Sequence, residues 1–397
     1  MATPALVKVL TALSADPATR PRFVGGCVRN WLLDVPVTDI DIATPLVPDR
    51  IIAMAAAAGL KPVPTGIDHG TVTVVSDGQG IEVTTLRRDV STDGRRATVA
   101  FTDRWLDDAR RRDLTINALY ADAAGTVTDF VGGLADLAVG RVRFVGDPAT
   151  RLTEDMLRVL RFYRFHASYG TGEPAAGIAQ LALQRRDLID RLSGERIAKE
   201  MLRLLTAPGA VSAVAVMAET GLLPALIPGA DASGARRLGR LVDLTPAVDD
   251  PIVRLSALLP IGGAAAAIER LRLSRKQAAT VDAVSDPARL AGYPPQDARA
   301  ARTAVYRDGA VLATALAASA AARLETAAAA TAWSQSEPTL ATFTPPRFPI
   351  SAKDLLAQGY TPGPTLGQRL RALEAAWLAA DMPPHWTPPA DGEGPIP

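Results

Sequence analysis

The chain has 397 residues, of which 48% are hydrophobic and 21% are charged, and its formal net charge is +1. That length exceeds what one hydrophobic core usually serves, so we expect two or more domains in an ordinary globular protein. The near-zero net charge excludes general attraction of the whole surface to nucleic acid, so that any RNA contact must come from a local patch.

The cysteine content indicates a reducing compartment. Cys27 is the one cysteine of the chain, which excludes an internal disulfide and predicts a cytoplasmic protein. Residues Met1 to Asp16 have the pattern of an amphipathic helix, with Lys8 inside it, and not of a signal peptide. No apolar run reaches the ~18 residues that a membrane span needs. One cysteine and three histidines give no support for a zinc site.

A carboxylate pair follows the first predicted strand and helix. The sequence predicts a short strand at Phe23–Val24, a turn at Gly25–Gly26, a helix start, and a second strand that carries Asp39 and Asp41. Because successive side chains of a strand point to opposite faces, the two carboxylates should share one face about 7 Å apart. Carboxylates so placed can hold a divalent metal between them.

The glycine pair before the helix can bind an anion. Without side chains, Gly25 and Gly26 let the backbone approach a ligand closely, and the helix start directs free N–H groups at it. Arg29, one turn into the helix, adds a fixed cation. Taken singly, such a turn or such a carboxylate pair is usually only a surface feature. A phosphate site beside a metal-binding pair indicates chemistry on a nucleoside triphosphate.

A β-hairpin is predicted next, after a helix at Pro48–Gly59. The β-branched runs Gly70–Val75 and Gly80–Leu86 are separated by a turn that contains Asp77-Gly78. Glu82 lies in the second run. From the local pattern alone it is either an outward-facing strand residue or a further acidic group of the site.

Two arginine-rich segments follow. Residues 87–113 contain eight Arg and six Asp, which is typical of a solvated loop that neutralises its own charge. After residue 146 the pattern becomes helical, and a helix is predicted over Thr153–Phe165 with Thr153 as its N-cap. Asp155 and Arg158, three residues apart, would then share one face, where such pairs usually form surface ion pairs.

Several of these blocks, in this order, resemble one family. Gly25-Gly-Cys-Val-Arg29 before Asp39-Ile-Asp41, the block Arg110–Leu119, and Glu154-Asp-Met-Leu-Arg158 resemble the nucleotidyltransferase superfamily in its CCA-adding and poly(A) polymerase branch. The resemblance covers roughly residues 20–205 and, less closely, 345–380. Asn30 stands where the family usually has Asp; it loses the charge and keeps an acceptor oxygen.

The resemblance implies an α+β fold. We expect an N-terminal nucleotidyltransferase head with a mixed β-sheet and flanking helices, followed by an all-α neck, body and tail. The implied boundaries are 1–140 for the head, 141–205 for the neck, 206–345 for the body and 346–397 for an RNA-contacting tail. The extreme C-terminus, Thr387–Pro397, has the composition of a disordered segment.

The resemblance also implies roles for individual residues. Asp39 and Asp41 would hold two Mg²⁺ ions, with Glu82 as the third carboxylate of the catalytic site. Triphosphate contacts would come from the Gly26 backbone, Arg29 and Arg112, whereas Asp113 and Asn117 would hold local backbone. The incoming base would be read by the helix that carries Asp155, Arg158, Arg161 and Arg164.

The implied reaction is template-independent transfer of nucleotides from CTP and ATP to the 3′ end of tRNA, with release of pyrophosphate. The sequence leaves open full CCA addition, C-only or A-only addition, and poly(A) synthesis on RNA. A non-catalytic RNA-binding relative is disfavoured because a pure binder needs no metal pair beside a base-reading pair. An antibiotic-modifying nucleotidyltransferase is disfavoured by the long helical half.

Overall fold

The computed structural model describes residues 3–14, 20–92, 97–245, 248–324 and 326–388. The chain forms two compact units, Met1–Pro228 and Gly229–Pro397. Most of the C-terminal segment predicted to be disordered lies outside the described residues. The four domain boundaries inferred from the sequence stay predictions. No helix among the described residues is long and apolar enough to span a membrane.

The first unit is built on a seven-stranded sheet with the order β3-β4-β5-β2-β1-β8-β9, and β6 and β7 form a separate two-stranded sheet. Strands β2 and β5 pair in parallel, whereas the other neighbours of the large sheet are antiparallel. The predicted α+β fold with a mixed sheet is therefore confirmed. The strands are β1 (Arg22–Val24), β2 (Asp41–Thr44), β3 (Lys61–Gly66), β4 (Thr71–Ser76), β5 (Gln79–Thr85), β6 (Arg87–Thr92), β7 (Ala97–Phe101), β8 (Leu119–Ala121) and β9 (Val127–Asp129).

The predicted hairpin is present as β4 and β5. Ser76 pairs with Gln79, so the loop consists of two residues. Asp77 (φ 49°) and Gly78 (φ 77°) both have positive φ, as the tight hairpin turn that matches strand twist requires. The inward side chains of β4, Val72 and Val74, are fully buried. The hairpin thereby fixes the register of β5, which carries Glu82.

The predicted second strand is shorter than expected. Strand β2 begins at Asp41, so Asp39 lies before it and the two aspartates do not share a strand face. On one side, β1 ends at Val24, where the chain turns at Gly25 into the next helix. No residue of β1 then remains to pair with the chain at Asp39.

The predicted loop over residues 87–113 is also wrong. The segment forms β6 and β7, which pair antiparallel, and then a helix over Trp105–Arg111. Arg87 pairs with Phe101 at the base of this two-stranded sheet. Backbone pairing is compatible with the charged sequence because one face of an antiparallel pair can remain in water.

Helices complete the first unit; those nearest the N-terminus pack against the strands, and the later ones pack against one another. Those of the first unit are α1 (Pro4–Leu13), α2 (Gly26–Leu32), α3 (Pro48–Ala57), α4 (Trp105–Arg111), α5 (Gly133–Ala138), α6 (Pro148–Glu154), α7 (Arg158–Tyr169), α8 (Ala176–Leu183), α9 (Arg186–Asp190), α10 (Gly194–Leu205), α11 (Ala210–Glu219) and α12 (Leu222–Leu226).

The helix predicted over Thr153–Phe165 is interrupted. Asp155 has extended backbone (φ −155°, ψ 105°) between α6 and α7, and its Oδ1 accepts the backbone N–H of Leu157 at 3.1 Å. An aspartate that binds a nearby backbone N–H competes with helical hydrogen bonding, which explains the break. Thr153 is not an N-cap but lies inside α6, whose cap is Asp147.

The described residues of the second unit are helical, without a strand. Alanines of the almost low-complexity stretch are buried in α19, among them Ala317 and Ala318, which permits close packing of backbones against α20. The helices of this unit are α13 (Ala232–Leu244), α14 (Pro251–Leu258), α15 (Ala265–Leu271), α16 (Arg275–Ser285), α17 (Pro287–Leu290), α18 (Ala298–Asp308), α19 (Ala310–Leu324), α20 (Ala327–Thr342), α21 (Ala352–Ala357) and α22 (Pro364–Ala379).

Candidate active site

Two carboxylates lie side by side on the adjacent parallel strands at the centre of the sheet. Asp41, the first residue of β2, is the register partner of Glu82 on β5. Both residues are exposed, whereas Ile42 and Val83, the next pair, are fully buried. The sheet thus presents a pair of acidic groups to solvent on a rigid base. Asp39, also exposed, lies two residues before Asp41.

Burial and neighbouring charges change the pKa of the Asp41 carboxyl. Surrounding protein reduces the hydration of the Asp41 carboxyl and raises its pKa, and the Glu82 carboxylate raises the pKa further. Arg112 acts in the opposite direction, and Asp39 adds another increase. Asp41 therefore lies within electrostatic reach of two other carboxylates and one arginine. A carboxylate crowded by like charges is stabilised by a bound cation.

These carboxylates are suited to binding a divalent cation, although they do not form a closed metal site. Asp41 and Glu82 supply hard oxygen ligands, and Asp39 lies nearby in the chain. Within the part of the chain that the structure describes, no three His, Cys, Asp or Glu side chains converge as a complete metal site. An ion that keeps several waters and binds substrate phosphates needs only one or two protein carboxylates.

The glycine turn lies against an arginine. Gly25 has φ 76°, its N–H donates to the Leu119 carbonyl at 3.0 Å, and α2 begins at Gly26. A Cβ atom built on Gly25 would lie 3.5 Å from Nη1 of Arg112. The predicted phosphate turn and the predicted triphosphate arginine are thus neighbours in space, although 87 residues separate them (112 − 25).

Arg29 is placed differently from the sequence-based expectation of a ligand contact. Its side chain is buried and donates hydrogen bonds to Asn117 Oδ1, to Asn30 Oδ1 at 2.8 Å and to the Tyr169 hydroxyl at 2.9 Å. The guanidinium also lies over the rings of Tyr169 and Phe165. In this structure Arg29 joins α2 to α7.

The two predicted base-reading side chains each form an ion pair with another residue. Asp155 Oδ2 accepts a hydrogen bond from Arg196 Nη2 of α10 at 2.6 Å. Arg158 donates to Glu154, which also binds Arg151 Nη1 at 2.8 Å. Asp155 and Arg158 therefore each have another ion-pair partner, and these partners fix the positions of the two side chains.

The two remaining arginines of α7 lie in a chain of ion pairs. Arg161 Nε donates to Asp113 Oδ2 at 2.6 Å, and Arg164 Nε donates to Glu200 Oε2 at 2.5 Å. Glu200 is buried and also lies 3.7 Å from Arg161 Nη1. As predicted, Asp113 holds local backbone, since its Oδ1 accepts the N–H of Leu114 at 2.8 Å. The Asn117 side chain, for which the same role was expected, binds the side chains of Arg29 and Asp113 instead.

Two segments of the chain match known domain families. Residues 21–143 match the model of the poly A polymerase head domain, and residues 175–233 match a probable RNA and SrmB-binding site of polymerase A. Residues 21–143 of this chain are thus similar to the poly A polymerase head domain. This head contains Asp39, Asp41, Glu82 and Arg112, and the family resemblance inferred from the sequence is confirmed.

Curated relatives support the same assignment. The chain is 38% identical over 221 residues to the mitochondrial CCA tRNA nucleotidyltransferase 1 of Mus musculus, covering 55% of this chain and 51% of that protein. It is 40% identical over 202 residues to the CCA-adding enzyme of Limosilactobacillus fermentum, covering 50% and 49%. The chain thus matches about half the length of these curated relatives.

Structural similarity extends further than sequence similarity. A crystal structure of the Bacillus stearothermophilus CCA-adding enzyme in complex with CTP matches 96% of this chain and 94% of its own, with a TM-score of 0.71 and 26% identity. The similarity therefore includes the helical regions that follow the poly A polymerase head.

Sequence reasoning missed the partners that orient the predicted site residues. Glu154, Arg196 and Glu200 each bind one or more of those residues through ion pairs. Glu154 adjoins Asp155 in the chain, so its place in the same block was an available signal. Arg196 lies 41 residues after Asp155, and no local pattern predicts that contact.

Proposed function

We propose that this protein is a nucleotidyltransferase that adds nucleotides from CTP and ATP to the 3′ end of tRNA, without a template. The observation that carries the proposal is the direct pairing of Asp41 with Glu82 on adjacent parallel strands, within electrostatic reach of Arg112. The names of the curated relatives and of the CTP-bound enzyme support the choice of substrates.

In the proposed site, Asp39 and Asp41 hold Mg²⁺, with Glu82 adjoining them. A metal held there would supply Lewis-acid chemistry, lowering the pKa of the attacking 3′ hydroxyl and stabilising the charge of the pyrophosphate leaving group. The exposure of Asp41 and Glu82 supports this role, because both must reach a substrate. The buried residues beneath them keep the two carboxylates in fixed register.

Binding of the triphosphate is assigned to the Gly26 backbone and Arg112. Arg112 brings a charge that opposes the local excess of carboxylates and lies against the Gly25 turn. Charge-assisted hydrogen bonds from arginine suit phosphate oxygens. The sequence predicts a direct triphosphate contact for Arg29. In this proposal its role is indirect instead, because its hydrogen bond to Tyr169 attaches α2 to α7 and so fixes the start of the helix that follows the turn.

Selection of the base is assigned to Asp155 and Arg158. An ionised Asp only accepts hydrogen bonds and an Arg only donates them, so the pair matches the amino group and ring acceptor of either cytosine or adenine. Uracil and guanine reverse that order, leaving desolvated groups unpaired at about 1–3 kcal/mol each. Arg161 and Arg164 stay predicted nucleotide contacts, and their ion pairs with Asp113 and Glu200 support an additional role in holding α7.

Poly(A) synthesis is the second candidate, favoured by the description of the matched head domain. One experiment separates the candidates. Purified protein with Mg²⁺ is incubated with tRNA lacking its 3′ CCA and with each nucleoside triphosphate alone or with CTP and ATP together, and the products are sequenced. Addition of CCA supports the proposal, whereas long A-tails on any RNA support poly(A) synthesis.

A control variant makes the result specific to the site. Asp41→Asn should fold and bind tRNA but incorporate nothing. If the wild-type protein incorporates no nucleotide into tRNA with any divalent metal that is tried, the proposal is wrong. Addition of C alone or A alone would keep the reaction class and narrow its product. The cytoplasmic location stays a prediction from the cysteine content.

A further inference from the structure

A buried aspartate beside the proposed site has no assigned role. The side chain of Asp108, on α4, is 2% exposed and accepts hydrogen bonds at both carboxylate oxygens. Oδ1 accepts from Arg111 Nε and Nη2 at 2.8 and 2.6 Å and from the backbone N–H of Arg87 at 3.2 Å. Oδ2 accepts from Arg112 Nε and Nη2 at 3.2 and 3.0 Å and from the Tyr120 hydroxyl at 2.7 Å.

The two oxygens of Asp108 therefore serve different partners. Oδ1 holds Arg111 and the backbone at the start of β6, which is a structural task. Oδ2 holds one edge of the Arg112 guanidinium, and the Tyr120 hydroxyl closes this arrangement because it also accepts from Arg112 Nε at 3.1 Å. Tyr120 is fully buried in the central sheet, so the hydroxyl is itself fixed.

This arrangement leaves a defined part of Arg112 available. A guanidinium has five N–H donors in a rigid plane. Asp108 and Tyr120 occupy the Nε and Nη2 edge, whereas Nη1 makes no hydrogen bond with any residue that the structure describes and lies against Gly25. The donors of Nη1 are thereby directed to the turn at which α2 begins.

We propose that Asp108, together with Tyr120, is a positioning residue that holds one edge of Arg112 so that its Nη1 donors face the oxygens of a nucleotide bound at Gly25 and Gly26. The inference rests on the proposed function, since it assumes that a nucleotide binds there. An arginine held in advance loses less conformational freedom on binding than a mobile one, and this lowers the cost of nucleotide binding. Asp108 itself touches no substrate.

The test compares variants that disturb the contacts of Asp108 Oδ2 with one that removes a partner of Oδ1. Asp108→Asn and Tyr120→Phe should raise KM for CTP and ATP together, Asp108→Asn by roughly tenfold to a hundredfold, with a much smaller change in kcat. Arg111→Gln is the matched control, because it removes a partner of Oδ1 and leaves Oδ2 intact. It should reduce stability but leave KM unchanged.

A double-mutant cycle separates positioning from general destabilisation. If Asp108 acts through Arg112, Asp108→Asn should have little further effect on nucleotide affinity once Arg112→Ala is present. Additive effects in that cycle, or an equal rise of KM in Arg111→Gln, overturn the inference. Should Asp108→Asn not fold, Tyr120→Phe in the same cycle gives the same decision.

Nucleotide binding also separates a failure of the proposed function from a failure of the positioning role. Affinity for CTP and ATP is measured by calorimetry with the intact protein. If the wild-type protein binds neither nucleotide, the proposed function and this inference both fail. If the wild-type protein binds both and the Asp108→Asn and Tyr120→Phe variants bind equally well, the function stands and the positioning role is wrong.

Discussion

The buried carboxylate of Asp108 should make the stability of the protein pH-dependent in a defined range. Burial alone raises the pKa of this carboxyl, but Arg112 and then Arg111 lower it more, so that it reaches about 2 against 3.8 for an ordinary aspartate. A lowered pKa means that ionised Asp108 stabilises the folded state above pH 4, and that this contribution is lost as the pH falls towards 2.

The size of the effect follows from the pKa difference. A difference of about 1.8 pKa units, at 1.36 kcal/mol per unit, corresponds to about 2.4 kcal/mol of stability near pH 6. At pH 3 about 1.3 kcal/mol of this remains, because Asp108 is still mostly ionised in the folded protein. The Asp108→Asn variant has no carboxyl to titrate at this position. The difference in free energy of unfolding between the wild-type protein and this variant should therefore decrease by about 1 kcal/mol from pH 6 to pH 3.

Urea unfolding followed by circular dichroism at pH 6, 5, 4 and 3 measures this gap directly. Asp107→Asn serves as control, because it removes the same charge one residue earlier, from an ion pair with the largely exposed Arg104 at 3.8 Å. That variant should lose less than about 1 kcal/mol at pH 6. A gap between wild type and Asp108→Asn that is equal at pH 6 and pH 3 would refute the reasoning.

Three further predictions concern the reaction. Asp41→Ala should lower incorporation by several orders of magnitude while thermal unfolding is unchanged, and near-normal turnover by the folded variant would contradict the metal assignment. Arg112→Ala should raise KM for CTP and ATP by similar factors, since a phosphate contact carries no base information; steady-state kinetics with each nucleotide checks this, and a large change in their ratio would assign Arg112 to base selection. Asp155→Ala should increase UTP incorporation relative to CTP in a competition assay, whereas full discrimination in that variant would exclude Asp155 from base reading.

Features set by neighbours in the chain could be predicted from the sequence. The turn at Asp77-Gly78 needs positive φ at two successive residues, which that dipeptide adopts readily, and so the hairpin and its register followed. The helical structure of the C-terminal half of the chain could also be predicted, from its composition. The pairing of Asp41 with Glu82 required the family resemblance, because parallel strands are joined by long connections that local patterns do not specify.

The errors arose where distant contacts decide local structure. At the helix break, one oxygen of Asp155 accepts the backbone N–H of Leu157 and the other is held by Arg196, an ion pair that sequence periodicity does not indicate. Strand β1 ends where Gly25 turns the chain, so the segment at Asp39 lies beyond the residues with which β1 can pair. In each case the side-chain pattern of the sequence continues past the residue at which the element is interrupted.

Asn30, the one departure from the family pattern in the first motif, is explained by its surroundings. Its Oδ1 accepts from Arg29 Nη2 at 2.8 Å and from the Tyr169 hydroxyl at 3.2 Å, so the acceptor role expected from the sequence is present. Its Nδ2 donates to the Pro36 carbonyl at 3.1 Å, a bond that an ionised aspartate cannot make. Among the residues described here, Arg29 then has neutral hydrogen-bond partners and aromatic faces, and burial lowers its pKa. Directional hydrogen bonds and ring contacts, and not an ion pair with a carboxylate, therefore hold α2 against α7 in this protein.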